Sequence, residues 1–200
     1  LNPSYGSIQR IKTRNNDIIA FTEDKVLKIL ASKDALFNAD GNPQLVSTDR
    51  VLGQSIPFVG DYGISKNPES LAVDQYRMYF TDKQRGAVLR LSNDGLTPIS
   101  SVGMKTWFRE NLRASNRHLG TFDKINGEYN LTLTEGRNTT LSFNEASKGW
   151  VSFKSFIADS GVSISGKYIT TKNNHIYEHY VDILESDANG SSSDYGASGG

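Results

Sequence analysis

A short hairpin phrase recurs along the chain and constrains the fold more than any other feature. Its copies span residues 19–30, 78–92, 120–133 and 168–179, each with an apolar strand, a lysine-bearing turn and an alternating second strand. With Phe21, Phe80, Phe122 and Ile169 as equivalent positions, the spacings are 59, 42 and 47 residues. Such spacings are typical of propeller blades. A hairpin buries one face only, so these copies must stack on one another or on another sheet.

The regions between the copies complete the predicted fold. Residues 70–100 contain four short strands separated by turns, which is about the length of one propeller blade. Apolar residues at helical spacing predict a single helix over residues 103–115. We therefore expect an all-β protein of antiparallel four-stranded blade-like sheets, a partial or complete β-propeller, with one short helix.

Two regions follow from composition. Residues 1–184 carry the blade patterns, and we expect them to be part of a longer chain. Residues 185–200 are rich in glycine and serine and hold little that could be buried, so they form a C-terminal tail or linker.

The segment 150–156 has the alternation of a β-strand and carries aromatic residues at both even and odd positions. Simple alternation puts Trp150 and Phe156 on one face and Val151 and Phe153 on the other. A strand with aromatic residues on both faces is either covered twice or meets another subunit.

Charge and cysteine content exclude several classes of function. The chain has 22 basic and 22 acidic side chains, so no net field attracts nucleic acid or an anionic membrane. It has no cysteine, which removes disulfides, thiolate metal ligands and thiol nucleophiles. No apolar run is long enough to span a bilayer.

Candidate chemistry is sparse. Asp74 and Asp82 flank one hairpin, and acidic residues at turns usually accept hydrogen bonds from nearby backbone amides. His175 and His179 share one strand face, but a structural zinc site needs four ligands. No nucleophile elbow, phosphate loop or dinucleotide fingerprint is present. We therefore expect no enzyme activity, no catalytic residues, no cofactor and no metal site.

Two phrases carry a resemblance to known families. Residues 67–91, with Pro68-Glu69-Ser70-Leu71-Ala72-Val73-Asp74 before Tyr79-Phe80-Thr81-Asp82, resemble a blade of an NHL-like propeller. Residues 143–156, followed by 166–168 and 175–177, resemble a phrase in large structural proteins of tailed bacteriophages. The resemblance implies a virion component and supplies no catalytic residues.

The expected function is structural. We expect a component of a bacteriophage particle, located in the tail or neck, that contacts copies of itself and other virion proteins. Aromatic side chains commonly anchor such interfaces. The candidate contact residues are Trp150, Phe153, Phe156, Tyr177 and Tyr195.

Two alternatives remain open from the sequence. One is a carbohydrate-binding or receptor-binding, depolymerase-like module of a phage tail protein, which recognises a host surface glycan. It predicts that Asp74, Asp82 and Trp107 meet in a concave site. The other is a free-standing bacterial β-propeller scaffold, which requires a closed ring within one polypeptide.

Overall fold

The computed structural model describes residues 2–37 and 43–181 of the chain. In that part the protein consists of four antiparallel sheets and one short α-helix, and in each sheet the strands follow one another in chain order. The prediction of an all-β protein with blade-like antiparallel sheets and one helix is confirmed. The predicted tail, residues 185–200, lies outside the described residues.

Three sheets have four strands and the last has three. The first sheet contains β1 (Ile8–Arg14), β2 (Asp17–Thr22), β3 (Val26–Phe37) and β4 (Pro43–Pro57). The second contains β5 (Ala72–Asp74), β6 (Arg77–Asp82), β7 (Ala87–Ser92) and β8 (Gly95–Pro98). The third contains β9 (Arg117–Asp123), β10 (Glu128–Thr134), β11 (Thr139–Asn144) and β12 (Gly149–Lys154), and the fourth contains β13 (Ser160–Ile164), β14 (Lys167–Lys172) and β15 (His175–Glu178).

All four predicted hairpins are present, but the third copy occupies a different place in its sheet. The copies at Phe21, Phe80 and Ile169 lie on β2, β6 and β14, each the second strand of its sheet. Phe122 lies on β9, which is the first strand of the third sheet. The structural equivalent of the other copies is β10, so the spacing drawn through Phe122 mixes two strand positions.

Turn chemistry explains where the hairpins reverse. β14 and β15 are joined by Asn173 and Asn174, which have φ of 49° and 64°. Two consecutive left-handed residues form the turn that suits the twist of paired strands, and asparagine tolerates this conformation well. The turn after β6 is held differently: Asp82 accepts a hydrogen bond from the Arg85 backbone amide at 3.0 Å.

Each sheet packs on the next through its own apolar cluster. Between the first and second sheets the rings of Phe21 and Phe80 meet edge to face at 5.1 Å. Between the second and third, Tyr79 stacks on Tyr129 at 5.0 Å. A smaller cluster joins the third and fourth sheets, made of Leu119, Phe156, Ala158 and Tyr168.

Glycines lie at two of these junctions. A Cβ atom added to Gly120 on β9 would fall well inside the van der Waals contact distance of the Ser70 carbonyl oxygen, just before β5. A Cβ atom on Gly161 of β13 would lie 2.9 Å from Cγ2 of Thr121 on β9. At these two glycines, the first strands of the second, third and fourth sheets therefore lie too close together for a larger side chain to fit.

The helix α1 (Lys105–Ala114) lies within the predicted range 103–115. It buries Phe108 and Leu112 in the cluster between the second and third sheets, and Met104 and Trp107 pack against the same cluster. The helix thus packs on the cluster that joins the second and third sheets.

The structure does not confirm the predicted propeller. Among residues 2–37 and 43–181, no apolar cluster joins the first sheet to the fourth, and the sheets form an open succession.

Candidate subunit-contact surface

β12 is an outer strand of the third sheet, and a β-bulge changes which of its residues share a face. Trp150 pairs with Phe143 and Ser152 pairs with Ser142, so Val151 is an extra residue. A bulge of this kind shifts the alternation by one. Trp150 and Phe153 therefore lie on the same face, beside their cross-strand partners Phe143 and Leu141 on β11. The prediction that they point to opposite faces is wrong.

The bulge brings three aromatic side chains together along the outer edge of the third sheet; we call Trp107, Trp150 and Phe153 the aromatic ledge. The Trp107 and Phe153 rings meet edge to face at 5.7 Å. Trp150 lies 4.4 Å from Phe108, and its indole Nε1 donates a hydrogen bond to the Ile99 carbonyl oxygen at 3.1 Å. These contacts with Phe108 and Ile99 hold the Trp150 side chain in place, whereas Phe153 remains 58% exposed.

The fourth sheet presents a second apolar surface. Val162 pairs with Ile169, and Ile176 pairs with Thr171, so these side chains share the face that points away from the third sheet. Ile164 belongs to the same face because it lies two residues after Val162. Val162, Ile164 and Ile176 are 54%, 57% and 76% exposed. We call Val162, Ile164, Ile169 and Ile176 the outer face of the fourth sheet.

The opposite face of the fourth sheet is buried against the third sheet, and its polar groups are hydrogen-bonded within the chain. The Tyr168 side chain is fully buried, and its hydroxyl group meets Thr121 Oγ1 at 2.8 Å and accepts from Asn130 Nδ2 at 3.1 Å. Burial raises the pKa of Tyr168 above its ordinary value. The two faces of this sheet thus differ: one is buried against the third sheet, and the other is exposed and combines apolar side chains with the Lys167–Glu178 ion pair.

The five predicted contact residues lie in different environments. Both Trp150 and Phe153 belong to the aromatic ledge, but Trp150 is partly buried against the apolar cluster whereas Phe153 is exposed. Phe156 is only 7% exposed and packs between the third and fourth sheets, so it does not contribute to either surface. Tyr177 is partly buried on the inner side of β15, opposite Thr170. Tyr195 lies outside the described residues.

Sequence reasoning missed the outer face of the fourth sheet. The signal was the alternation of Val162 and Ile164 with smaller or polar residues. Alternation alone cannot say which of the two faces is covered by the neighbouring sheet. The covered face is the one that carries Tyr168.

The carboxylates singled out in the sequence do not form a site. Asp82 is fully buried and accepts hydrogen bonds from the Gly63 amide and the Ser65 hydroxyl at 3.1 and 3.0 Å. It also pairs with Arg85 at 3.0 Å. Asp74 lies at the other end of β6, roughly 15 Å away at the usual rise of a strand. The structure therefore does not bring these two carboxylates together, and Asp82 holds a turn.

The histidine pair is also engaged locally. His175 Nδ1 lies 2.8 Å from the Asn173 carbonyl oxygen, and His179 Nε2 lies 2.8 Å from Thr170 Oγ1. Residues 2–37 and 43–181 contain no group of three potential metal ligands. No helix in this part of the chain is both long and apolar enough to cross a membrane.

The comparison with protein families agrees with the resemblance noted in the sequence. A family model described as the Crassvirus muzzle protein matches residues 1–174. No curated protein matches the chain. The matched range covers most of the 200 residues and includes all four sheets up to the last strand. The chain therefore belongs to the Crassvirus muzzle protein family and is a structural component of a phage particle.

Proposed function

We propose that this protein is a subunit of the tail or neck region of the particle and acts by contacting copies of itself and other virion proteins. The observation that carries the proposal is the outer face of the fourth sheet. It exposes Val162, Ile164 and Ile176, whereas the clusters between the first and second sheets and between the second and third sheets bury β-branched residues such as Ile19 and Val88.

Burial of this face would favour association. Apolar surface removed from water contributes about 25 cal/mol per Å². Val162, Ile164 and Ile176 each expose more than half of their surface, so covering all three would remove a substantial apolar area from water and favour the contact. The aromatic ledge adds a second, separate surface, with Phe153 as its exposed member.

We further propose that the four sheets are consecutive blades of a propeller-like array that another segment or subunit completes. Two features support this proposal: the strands of each sheet follow chain order, and each sheet packs on the next. The outer face of the fourth sheet is then the position for the next blade.

A structural, non-catalytic role is part of the proposal. It is supported by Asp82 and Asp123, whose carboxylates are occupied by hydrogen bonds within their own turns. Asp123 accepts from the Ile125 amide at 2.8 Å and from the Tyr180 hydroxyl at 2.8 Å.

The test is a double substitution on the outer face, Ile164→Ser with Ile176→Ser. We expect the variant to fold, because both side chains are exposed, and to lose higher-order assembly in light scattering and incorporation into purified particles. The matched control is Ile125→Ser, since Ile125 is 47% exposed but lies in the β9–β10 turn. Normal incorporation of the double variant together with wild-type assembly mass would refute the proposed contact.

A further inference from the structure

A polar groove of about 510 Å³ opens between the second and third sheets. Its walls come from the end of the β6–β7 pair and from the β11–β12 turn. The lining residues are Tyr76, Arg77, Arg90, Ser92, Asn93, Asp94, Glu145, Ala146 and Lys148. The volume is within the range of small-molecule sites.

The position of the arginines follows from strand register. Tyr79 pairs with Arg90, and Arg77 lies two residues before Tyr79 on β6. Arg77, Tyr79 and Arg90 therefore share the face that packs on the third sheet. Deeper in this junction the same face carries apolar side chains such as Val88, so the groove marks the place where the packing changes from apolar to charged.

Glu145 reaches into the groove from the β11–β12 turn. Its carboxylate accepts hydrogen bonds from the Tyr79 hydroxyl at 2.6 Å and from Arg90 Nη1 at 3.0 Å, and Arg77 Nε lies 3.7 Å away. Arg77 and Arg90 are thus fixed in place before any ligand arrives, which lowers the entropy that a ligand must overcome.

Two buried polar atoms of the groove residues have no hydrogen-bond partner. These are Nε of Arg90 and Oγ of Ser92, and Ser92 as a whole is only 4% exposed. Because Arg90 and Ser92 are two apart on β7, they lie on the same face. A buried polar atom without a partner costs free energy, and an oxygen-bearing ligand would remove that cost at both atoms.

The charge of the groove selects the kind of anion. Arg77, Arg90 and Lys148 supply three positive charges, and Asp94 and Glu145 supply two negative charges. One negative charge therefore balances the site, whereas a doubly charged phosphate would meet repulsion from both carboxylates. Planar guanidinium groups also match the geometry of a carboxylate.

We propose that this groove binds the carboxylate of an acidic sugar. The sugar is favoured because Tyr76 lies among these polar side chains, with the Arg77 guanidinium 4.9 Å from its ring centre. An aromatic ring beside charged donors offers one surface for the apolar side of a pyranose and another for its hydroxyl groups. This inference does not depend on the proposed subunit contacts, which involve other sheet surfaces.

The test is calorimetric titration of the purified protein with an aldobiuronate (a disaccharide with a single carboxylate), a neutral disaccharide of the same size, inorganic phosphate and a glutamate-containing tripeptide. We expect saturable binding of the aldobiuronate alone. Ser92→Ala and Lys148→Gln should each weaken it roughly tenfold, as expected for one lost hydrogen bond to a charged group. Lys105→Gln, an exposed helix position outside the groove, is the control and should bind normally.

Three results would overturn the proposal. The first is absence of saturable aldobiuronate binding at millimolar concentration. The second is binding that Ser92→Ala and Lys148→Gln leave unchanged while both variants retain the wild-type melting temperature. The third is equal affinity for the neutral disaccharide, phosphate or the acidic peptide. Particle incorporation of Ser92→Ala, measured in parallel, separates this site from the assembly role.

Discussion

Gly120 holds the second and third sheets at a distance that no other residue type would permit. Because a methyl group at this position would overlap the Ser70 carbonyl oxygen, Gly120→Ala must push the two backbones apart. We expect the free energy of unfolding in urea to fall by about 1–3 kcal/mol, as for other overpacked sites. Gly149→Ala is the control, since the added carbon would lie 3.8 Å from its nearest neighbour. Equal stability of the two variants would contradict this account.

His118 couples the stability of the same junction to pH. Its Nε2 lies 3.0 Å from the Leu112 carbonyl oxygen and therefore carries the proton, while Nδ1 accepts from Thr81 Oγ1 at 2.8 Å. Burial lowers the pKa of His118 to about 4, from 6.5 in the unfolded chain. Between these values the unfolded state binds more protons, so the contribution of His118 is complete above pH 6.5 and is lost as the pH falls towards 4.

The pH effect can be measured against a variant without the titrating group. From pH 7.5 to pH 5 we expect the wild type to lose about 2 kcal/mol more than His118→Gln in urea unfolding. Parallel pH profiles for the two proteins would show that His118 is not the group responsible.

At the scale of elements, the β12 bulge separates two aromatic residues that look alike in the sequence. Trp150 contacts Phe108 and Phe143 and donates to Ile99, so Trp150→Ala should lower the free energy of unfolding by about 3 kcal/mol. Phe153 is mostly exposed, so Phe153→Ala should cost less than about 1 kcal/mol. Thermal unfolding of both variants tests the difference, and a larger loss for Phe153→Ala would contradict the bulged register.

The same strand shows how far sequence reasoning reaches. Turn residues and alternation identify the four predicted hairpins, because both depend on neighbours in the chain, but they do not identify the long pairing of β3 with β4. The bulge at Val151 does not appear in the alternation, since the extra residue is accommodated by the register with β11. The sequence also places the copy at Phe122 in the wrong strand position. The first and second strands of a sheet carry similar sequence phrases, and only the strand order in the sheet distinguishes them.

The candidate sites depend on contacts between distant segments. The groove requires Arg77 and Arg90 on one sheet and Glu145 on the next, 55 residues beyond Arg90. No spacing rule brings these residues together. The outer face of the fourth sheet was closer to prediction, because Val162 and Ile164 alternate, but its exposure follows only from the burial of Tyr168 on the other side.

Across the whole molecule, the apolar clusters are unequal. Among the residues that the structure describes, the cluster between the third and fourth sheets is the smallest, and it contains the fully buried Tyr168. We therefore expect amide hydrogens of β13–β15 to exchange through local opening at lower denaturant than those of β6–β10. Tyr168→Phe should widen this gap, because Thr121 and Asn130 lose their shared hydroxyl partner. Uniform exchange of all four sheets in native-state hydrogen exchange would indicate a single cooperative unit instead.

Since each sheet is joined to the next by a separate cluster, a pull between the first and fourth sheets would load the three junctions in series. Links in series carry the same force, and the weakest yields first. If the apolar clusters alone set the order of yielding, the fourth sheet would detach first while the aromatic cluster around Tyr79 and Tyr129 stays intact. The outer face of the fourth sheet is the proposed contact. Force transmitted from a neighbouring subunit would therefore open the junction between the third and fourth sheets first, and the first three sheets would keep their packing.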